Sequence, residues 1–141
     1  MDRWTIREGT LADRGPVLDL WRAAGSPPTA TDTDAGLERL LRQDPGSLLL
    51  AVADAEAIAS LIAAWDGWRG SFYRLAVNPG WRRRGVATGL IRAGEDRLRR
   101  LGAVRLTAIV AGEESGAAEL WRAAGYERQE GRSRFVRMVA D

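Results

Sequence analysis

The 141-residue chain carries 21 cationic and 19 acidic side chains, a formal net charge of +2, and has neither Cys nor His. That composition excludes disulfides, thiolate nucleophiles, a Ser-His-Asp triad and any histidine-bearing metal site. Every cation is Arg, which lifts the sequence pI to about 9.9 while the net charge stays small, so the pI is no argument for a nucleic-acid partner.

In chain order, Trp4 to Arg7 predicts a first strand. Thr10 caps a helix to about Ala24, with Val17, Leu18, Leu20 and Trp21 on its apolar side and Gly25 as a left-handed stop. Ser26-Pro27-Pro28 is a loop, and Thr31 or Asp32 opens a second helix with Leu37, Leu40 and Leu41, closed by Pro45-Gly46. Leu48 to Ala53 and Ala57 to Trp65 read as a hairpin around Asp54-Ala55. After the turn from Asp66 to Gly70, Ser71 to Val77 is a further strand, stopped by Asn78-Pro79-Gly80.

A long helix is expected from Gly85 to Leu101, with Val86, Leu90, Ile91, Leu98 and Leu101 at helical spacing. Ala103 to Val110 reads as a buried strand, Glu114 or Ser115 to Ala124 as a helix, and Tyr126 to Arg128 and Arg134 to Val139 as two closing strands. The expectation is one domain over residues 1–141, an α+β mixed sheet flanked by helices. No apolar run reaches the ~18 residues of a membrane span, and Met1-Asp2-Arg3-Trp4 lacks the basic-then-apolar pattern of a secretory signal. Neither a membrane nor a secreted location is therefore expected.

Charge is unevenly placed. Residues 81–105 hold eight Arg against Glu95 and Asp96, a local excess of +6, and the remainder is −4. A local excess points to one anionic ligand. Within it, residues 75–91 read as a strand, a Pro-Gly turn, a tight Arg/Gly loop and the opening of a long helix. The first N–H groups of a helix lack internal partners, and the helix dipole makes that end positive. A loop of Arg83, Arg84, Gly85, Val86, Ala87 and Thr88 aims several of these groups at one point, with Gly85 allowing close approach. This is a seat for a pyrophosphate. It is neither a Walker loop, lacking Gly-Lys-Ser/Thr, nor a G-x-G-x-x-G dinucleotide fingerprint.

The segment resembles motif A of the GNAT superfamily of acyl-coenzyme-A-dependent N-acetyltransferases, Arg/Gln-x-x-Gly-x-Gly/Ala, here Arg82-Arg83-Arg84-Gly85-Val86-Ala87. Val77-x-Pro79 before it, Leu90-Ile91 after it, and Ala118-x-x-Trp121-x-x-x-Gly125-Tyr126, similar to motif B, extend the likeness over essentially the whole chain. The resemblance implies a short stand-alone bacterial enzyme of the cytoplasm. Its sheet would have six to seven mostly antiparallel strands with about four helices, and its central strand pair would splay. Acetyl-CoA is the implied cosubstrate, with no metal. Backbone groups of Leu75, Ala76 and Val77 would pair with the pantetheine arm, and an N–H near Ala76 would polarise the thioester. The N–H groups of Arg83 to Thr88 would hold the pyrophosphate, and Arg82 adds charge to that end.

The family's acid and base are not inherited. Trp121 stands where many members carry an acidic Tyr, Glu114 where an Asn is common, and Ile109 where some place a basic Glu. A thiolate of pKa about 8.5 can leave unaided, whereas an alkylammonium near pKa ~10 needs a base or a water chain to a carboxylate. Candidates are Asp66, Glu113, Glu114 and Tyr73. Each has a plainer reading: Asp66 as an Asp-Gly turn former, the glutamates as helix-end charges, Tyr73 as a packed or edge residue whose face depends on whether the strand is bulged. Trp65 and Trp68 bracket Asp66 and are candidates to line an acceptor mouth and hold a cation. The acceptor would be a small-molecule amine or a protein N-terminal or lysine amine. A non-catalytic coenzyme-A-binding module is the alternative, a nucleic-acid partner is not expected, and a homodimer is common in the family but not encoded here.

Overall fold

Leu48–Ala53 and Glu56–Trp65 are the two most deeply buried strands of a computed structural model that describes residues 3–110 and 116–139. These strands, β2 and β3, turn over Asp54 and Ala55, both at positive φ, as a tight two-residue hairpin requires. β1 (Thr5–Glu8) pairs antiparallel with β2, and β4 (Gly70–Val77) pairs antiparallel with β3. β5 (Leu106–Ala108) lies parallel to β4, giving the order β1-β2-β3-β4-β5. A parallel neighbour needs a crossover, supplied by the long helix α3 (Val86–Leu101). Contacts divide the chain into two compact units, residues 1–109 and 110–141, the second containing α4 (Gly116–Ala123). Among the described residues no helix is long and apolar enough to cross a membrane.

Four expected elements differ. The strand expected over 103–110 is three residues long, and Val104 and Ile109 are exposed, because its ladder to β4 covers only Leu106 to Ala108. Tyr126 to Arg128 and Arg134 to Val139 are not strands. Their alternating apolar residues record strand propensity, which becomes a strand only where a ladder partner exists. Among the described residues the sheet therefore has five strands, not six or seven. The second helix starts later than Thr31 or Asp32. The Asp32 carboxylate accepts from Thr29 N–H and Oγ1 and closes a turn of its own, so Thr33 becomes the cap of α2 (Asp34–Gln43), accepting from Gly36 N–H at 3.0 Å.

The first helix, α1 (Arg14–Ala23), is preceded by a 3-10 turn, Leu11–Asp13. Asp13 anchors that turn by accepting from Thr10 N–H at 2.7 Å and from both terminal nitrogens of Arg7 at 2.9 Å. Val17, Leu20 and Trp21 of α1 and Leu37 and Leu41 of α2 pack on one sheet face against Leu48, Leu50, Ile62 and Ala76. α3 covers the other face with Val86, Leu90, Ile91, Gly94 and Leu98. It approaches closely because Gly94 has no side chain: a Cβ there would stand 2.7 Å from the Phe72 ring and 3.3 Å from Ala63 Cβ. Arg97 of α3 ties this face down, donating to the Ala63 carbonyl and to Asp44, whose other oxygen accepts from Trp65 N–H at 2.9 Å.

Gly94→Ala is expected to destabilise the fold by about 1–3 kcal/mol through overpacking, despite the higher helix propensity of Ala, read as a lower urea midpoint. The Arg7 guanidinium and the Thr10 N–H hold the Asp13 carboxyl at about 2, below the unfolded value near ~3.9. A depressed folded-state pKa contributes stability above the unfolded value that disappears as the pH falls through the folded one. Urea midpoints measured from pH 5 to pH 2 should therefore drop less steeply for Asp13→Asn than for the wild type.

Candidate functional site

β4 and β5 run together for only three pairs, Gly70↔Leu106 to Phe72↔Ala108. From Tyr73 to Val77 the strand keeps β3 on one side and, among the described residues, has no ladder partner on the other. Asn78 N–H donates to the Ile58 carbonyl at 2.8 Å, and Ala76 lies opposite Ser60. Strand alternation then turns the N–H and C=O of Ala76 toward β3, and those of Leu75 and Val77 toward the open edge.

The strand also bulges. Ser60 pairs with Ala76 but Ile62 with Tyr73, so β4 holds one extra residue, and Arg74 takes φ +55 there. Ser60 Oγ, fully buried, accepts from Trp21 Nε1–H at 2.8 Å and donates to the Arg74 carbonyl at 2.9 Å. The bulge changes which residues share a face. Phe72 packs toward α3 at Gly94, whereas Ala76 packs with α1 and α2. The exposed Tyr73 therefore does not share the face of Leu75 and Val77. The Arg74 guanidinium lies 5.1 Å from the Trp21 ring centroid, pairs with Asp32 and donates to the Pro27 carbonyl at 2.9 Å, so it tethers the loop between α1 and α2. Burial pushes its pKa down.

β4 leads into the Arg/Gly loop. The Asn78 side chain accepts from Gly80 N–H at 3.0 Å and starts a 3-10 turn, Pro79–Trp81. Arg82 donates to the Ala24 carbonyl at 3.0 Å, and Arg84 lies 4.8 Å from the Trp81 ring centroid. Arg83 at φ +63 and Gly85 at φ +79 turn the chain into α3. The first i to i−4 bond of α3 runs from Gly89 N–H to the Gly85 carbonyl at 3.0 Å. The N–H groups of Val86, Ala87 and Thr88 precede it and have no helical acceptor. A Cβ built on Gly85 would meet no protein atom within 4 Å. The loop thus brings helix-start amides together beside open space at Gly85, chemistry that suits an anion.

The other candidates lie elsewhere. Asp66 Oδ1 accepts from Trp68 N–H at 2.8 Å and Arg69 N–H at 2.6 Å, and these two bonds lower its pKa. It sits before the start of β4, and Gly70 to Leu75 alone spans about 17 Å at strand rise. The cation over Trp68 is its neighbour Arg69, at 4.0 Å. Trp65, Trp68, Leu101 and Arg105 line an open cavity of about 530 Å³ at that end of the sheet. Glu113 and Glu114 fall outside the described residues. In the second unit, Trp121 is buried and meets Tyr126 edge to face at 5.0 Å. Sequence reasoning missed Ser60, Trp21 and Asp32 as supports of the bulge. Ser60 was discoverable as the lone hydroxyl in Ile58-Ala59-Ser60-Leu61-Ile62.

The model of the acetyltransferase (GNAT) family matches residues 17–126. The chain belongs to the GNAT acetyltransferase family. An acetyltransferase of Sodalis glossinidius is 31% identical over 114 residues, 81% of this chain and 80% of that one. Another, of Yersinia enterocolitica, is 29% identical over 136 residues, 96% of each chain. Among solved structures, the aminoglycoside N-acetyltransferase AAC(6')-Iy in complex with CoA superposes with a TM-score of 0.75 at 22% identity, covering 98% of this chain and 96% of that one. A probable acetyltransferase of Staphylococcus aureus gives 0.78 at 13% identity, covering 98% and 100%. The GNAT match spans the open strand and the Arg/Gly loop alike.

In this GNAT chain Arg74→Ala should release the loop over residues 27–32. Hydrogen exchange is expected to speed up at the Thr29 amide, held by the Asp32 carboxylate, while the amides of β2 exchange as in the wild type.

Proposed function

We propose that this acetyltransferase moves the acetyl group of acetyl-CoA onto a primary amine by direct attack in a ternary complex. The observation that carries the reading is continuity: the open edge of β4 runs directly into the amide-lined opening of α3. A pyrophosphate would take the N–H groups between Arg83 and Thr88, with the charge of Arg82, Arg83 and Arg84 around them. The pantetheine arm would lie along Leu75 to Val77 as an added strand, bonding to the outward groups of Leu75 and Val77, while Ala76 bonds toward β3. Leu75 N–H, at the bulge, is the donor suited to the thioester oxygen as negative charge develops there.

In the reaction the amine nitrogen attacks the thioester carbon. A C–N bond forms, the C–S bond breaks, and the thiolate leaves with the electron pair. Deprotonating the ammonium is the demanding part. Tyr73, next to the bulge, is the candidate nearest the forking strands. Asp66 is a weaker base for its backbone bonds and acts only through intervening water. Glu114 completes the set. A small-molecule amine is the favoured acceptor class, supported by aminoglycoside N-acetyltransferases among the proteins of like fold, one of them solved with a bisubstrate analogue, CoA-S-monomethyl-acetylneamine. A cytoplasmic location follows from the need for acetyl-CoA.

Isothermal titration is expected to show micromolar CoA binding by the wild type and none by Gly85→Glu. A Cβ at Gly85 meets no protein atom within 4 Å, so the substitution costs the backbone strain of φ +79 and brings an anion to the phosphate seat; Gly85→Ala, which carries the strain without the charge, should keep measurable CoA binding. Equal affinities of the wild type and Gly85→Glu would overturn the seat. Thiol release from acetyl-CoA across a panel of amines then tests transfer. CoA binding with no release from any amine would replace this reading with that of a non-catalytic coenzyme-A-binding module.

A further inference from the structure

We infer that Ser60, held by the Trp21 indole, is a positioning residue that aims the Leu75 N–H at the thioester oxygen. The inference rests on the function proposed above.

The peptide bonds of the described residues are trans, so the Arg74 carbonyl and the Leu75 N–H point in opposite directions across one rigid plane. Ser60 sits on β3 and donates to that carbonyl at 2.9 Å. Pulling the oxygen toward β3 turns the N–H outward, onto the edge that β5 has left. The ladder sets the plane from the Ala76 side, and this bond sets it from the Arg74 side, where the bulge interrupts the ladder. Arg74 occupies the left-handed region, which a non-glycine residue adopts only when its surroundings hold it there, and the bulge takes the residue out of the regular ladder with β3.

The hydroxyl is itself oriented. Its oxygen accepts from Trp21 Nε1–H at 2.8 Å, which leaves its own proton for the Arg74 carbonyl. Ser60 is completely and Trp21 nearly completely shielded from water, which strengthens the bond between them and makes its loss costly. A buried serine in the middle of an apolar strand has no packing advantage over alanine. Its use is the bond it makes. A donor aimed in advance polarises the bound carbonyl modestly and acts most strongly on the charge that develops in the transition state, so the chain Trp21, Ser60, Arg74 carbonyl, Leu75 N–H should affect kcat far more than cofactor affinity.

The test uses the full chain, CoA, and acetyl-CoA labelled with carbon-13 at the thioester carbonyl. Ser60→Ala is expected to bind CoA within about twofold of the wild type and to lose the downshift of the bound carbonyl stretch that the wild type imposes. With any amine that the wild type acetylates, its kcat should fall about tenfold to hundredfold at little-changed KM for acetyl-CoA. Trp21→Phe, which removes the indole N–H together with part of the core-packed ring, should give a smaller loss of the same kind with CoA affinity kept, and carries the test if Ser60→Ala does not fold. A wild-type carbonyl shift in Ser60→Ala overturns the inference. So does a parallel loss of shift and CoA affinity, which would make Ser60 a support of the strand as a whole. Failure of the wild type to bind CoA is a different result, seen before any variant is made, and removes the proposed function together with this inference.

Discussion

A backbone N–H or C=O that has left its ladder must find another partner or stay in water. That requirement governs this fold. β4 and β5 separate after Phe72 and Ala108, and from there β4 carries its outward groups at Leu75 and Val77 with no strand beside them among the described residues. A few residues later α3 begins with three further N–H groups that its own geometry cannot satisfy. The two sets follow each other along one stretch of chain, joined by a turn that Asn78 and Gly80 keep tight. Such an arrangement suits a long ligand that is a peptide mimic at one end and a phosphate ester at the other.

The rest of the structure keeps that stretch in place. α3 is pressed on the sheet because Gly94 offers no side chain toward Phe72, so the start of the helix stays close to the end of the strand. Arg97 fastens the same helix to Asp44 and the Ala63 carbonyl. On the opposite face α1 contributes Trp21, whose ring packs in the core and whose N–H reaches Ser60. Packing and polar bonding thus meet at the bulge from both layers.

The hydrophobic runs at 48–53 and 57–65 and the helical spacing from Val86 to Leu101 made most of the architecture legible in the sequence, because burial on a sheet or helix face imposes its period on the residues. The Arg/Gly loop was legible for another reason: Gly85 and the helix behind it are local features. Less visible was whatever depended on a distant partner. Nothing in Arg74 announces a left-handed backbone, and the groups that meet its carbonyl, Ser60 and through it Trp21, are remote in the sequence. Asp32 resembled a helix cap until Thr29 and Arg74 claimed its carboxylate. The expected strand over 103–110 forms only at Leu106–Ala108, and that over 134–139 does not form, because pairing depends on the neighbour rather than on the segment.

Arg74 joins a strand to a loop. Its carbonyl belongs to β4, while its guanidinium holds Asp32 and the Pro27 carbonyl in the loop between α1 and α2. Loops usually tolerate insertion more readily than the elements they connect. Here an added residue between Pro27 and Asp32 would pull the carboxylate off the guanidinium and leave that cation over an indole, half out of water. The length of this loop is thereby tied to the shape of the strand, and descendants of this sequence that vary one must repair the other.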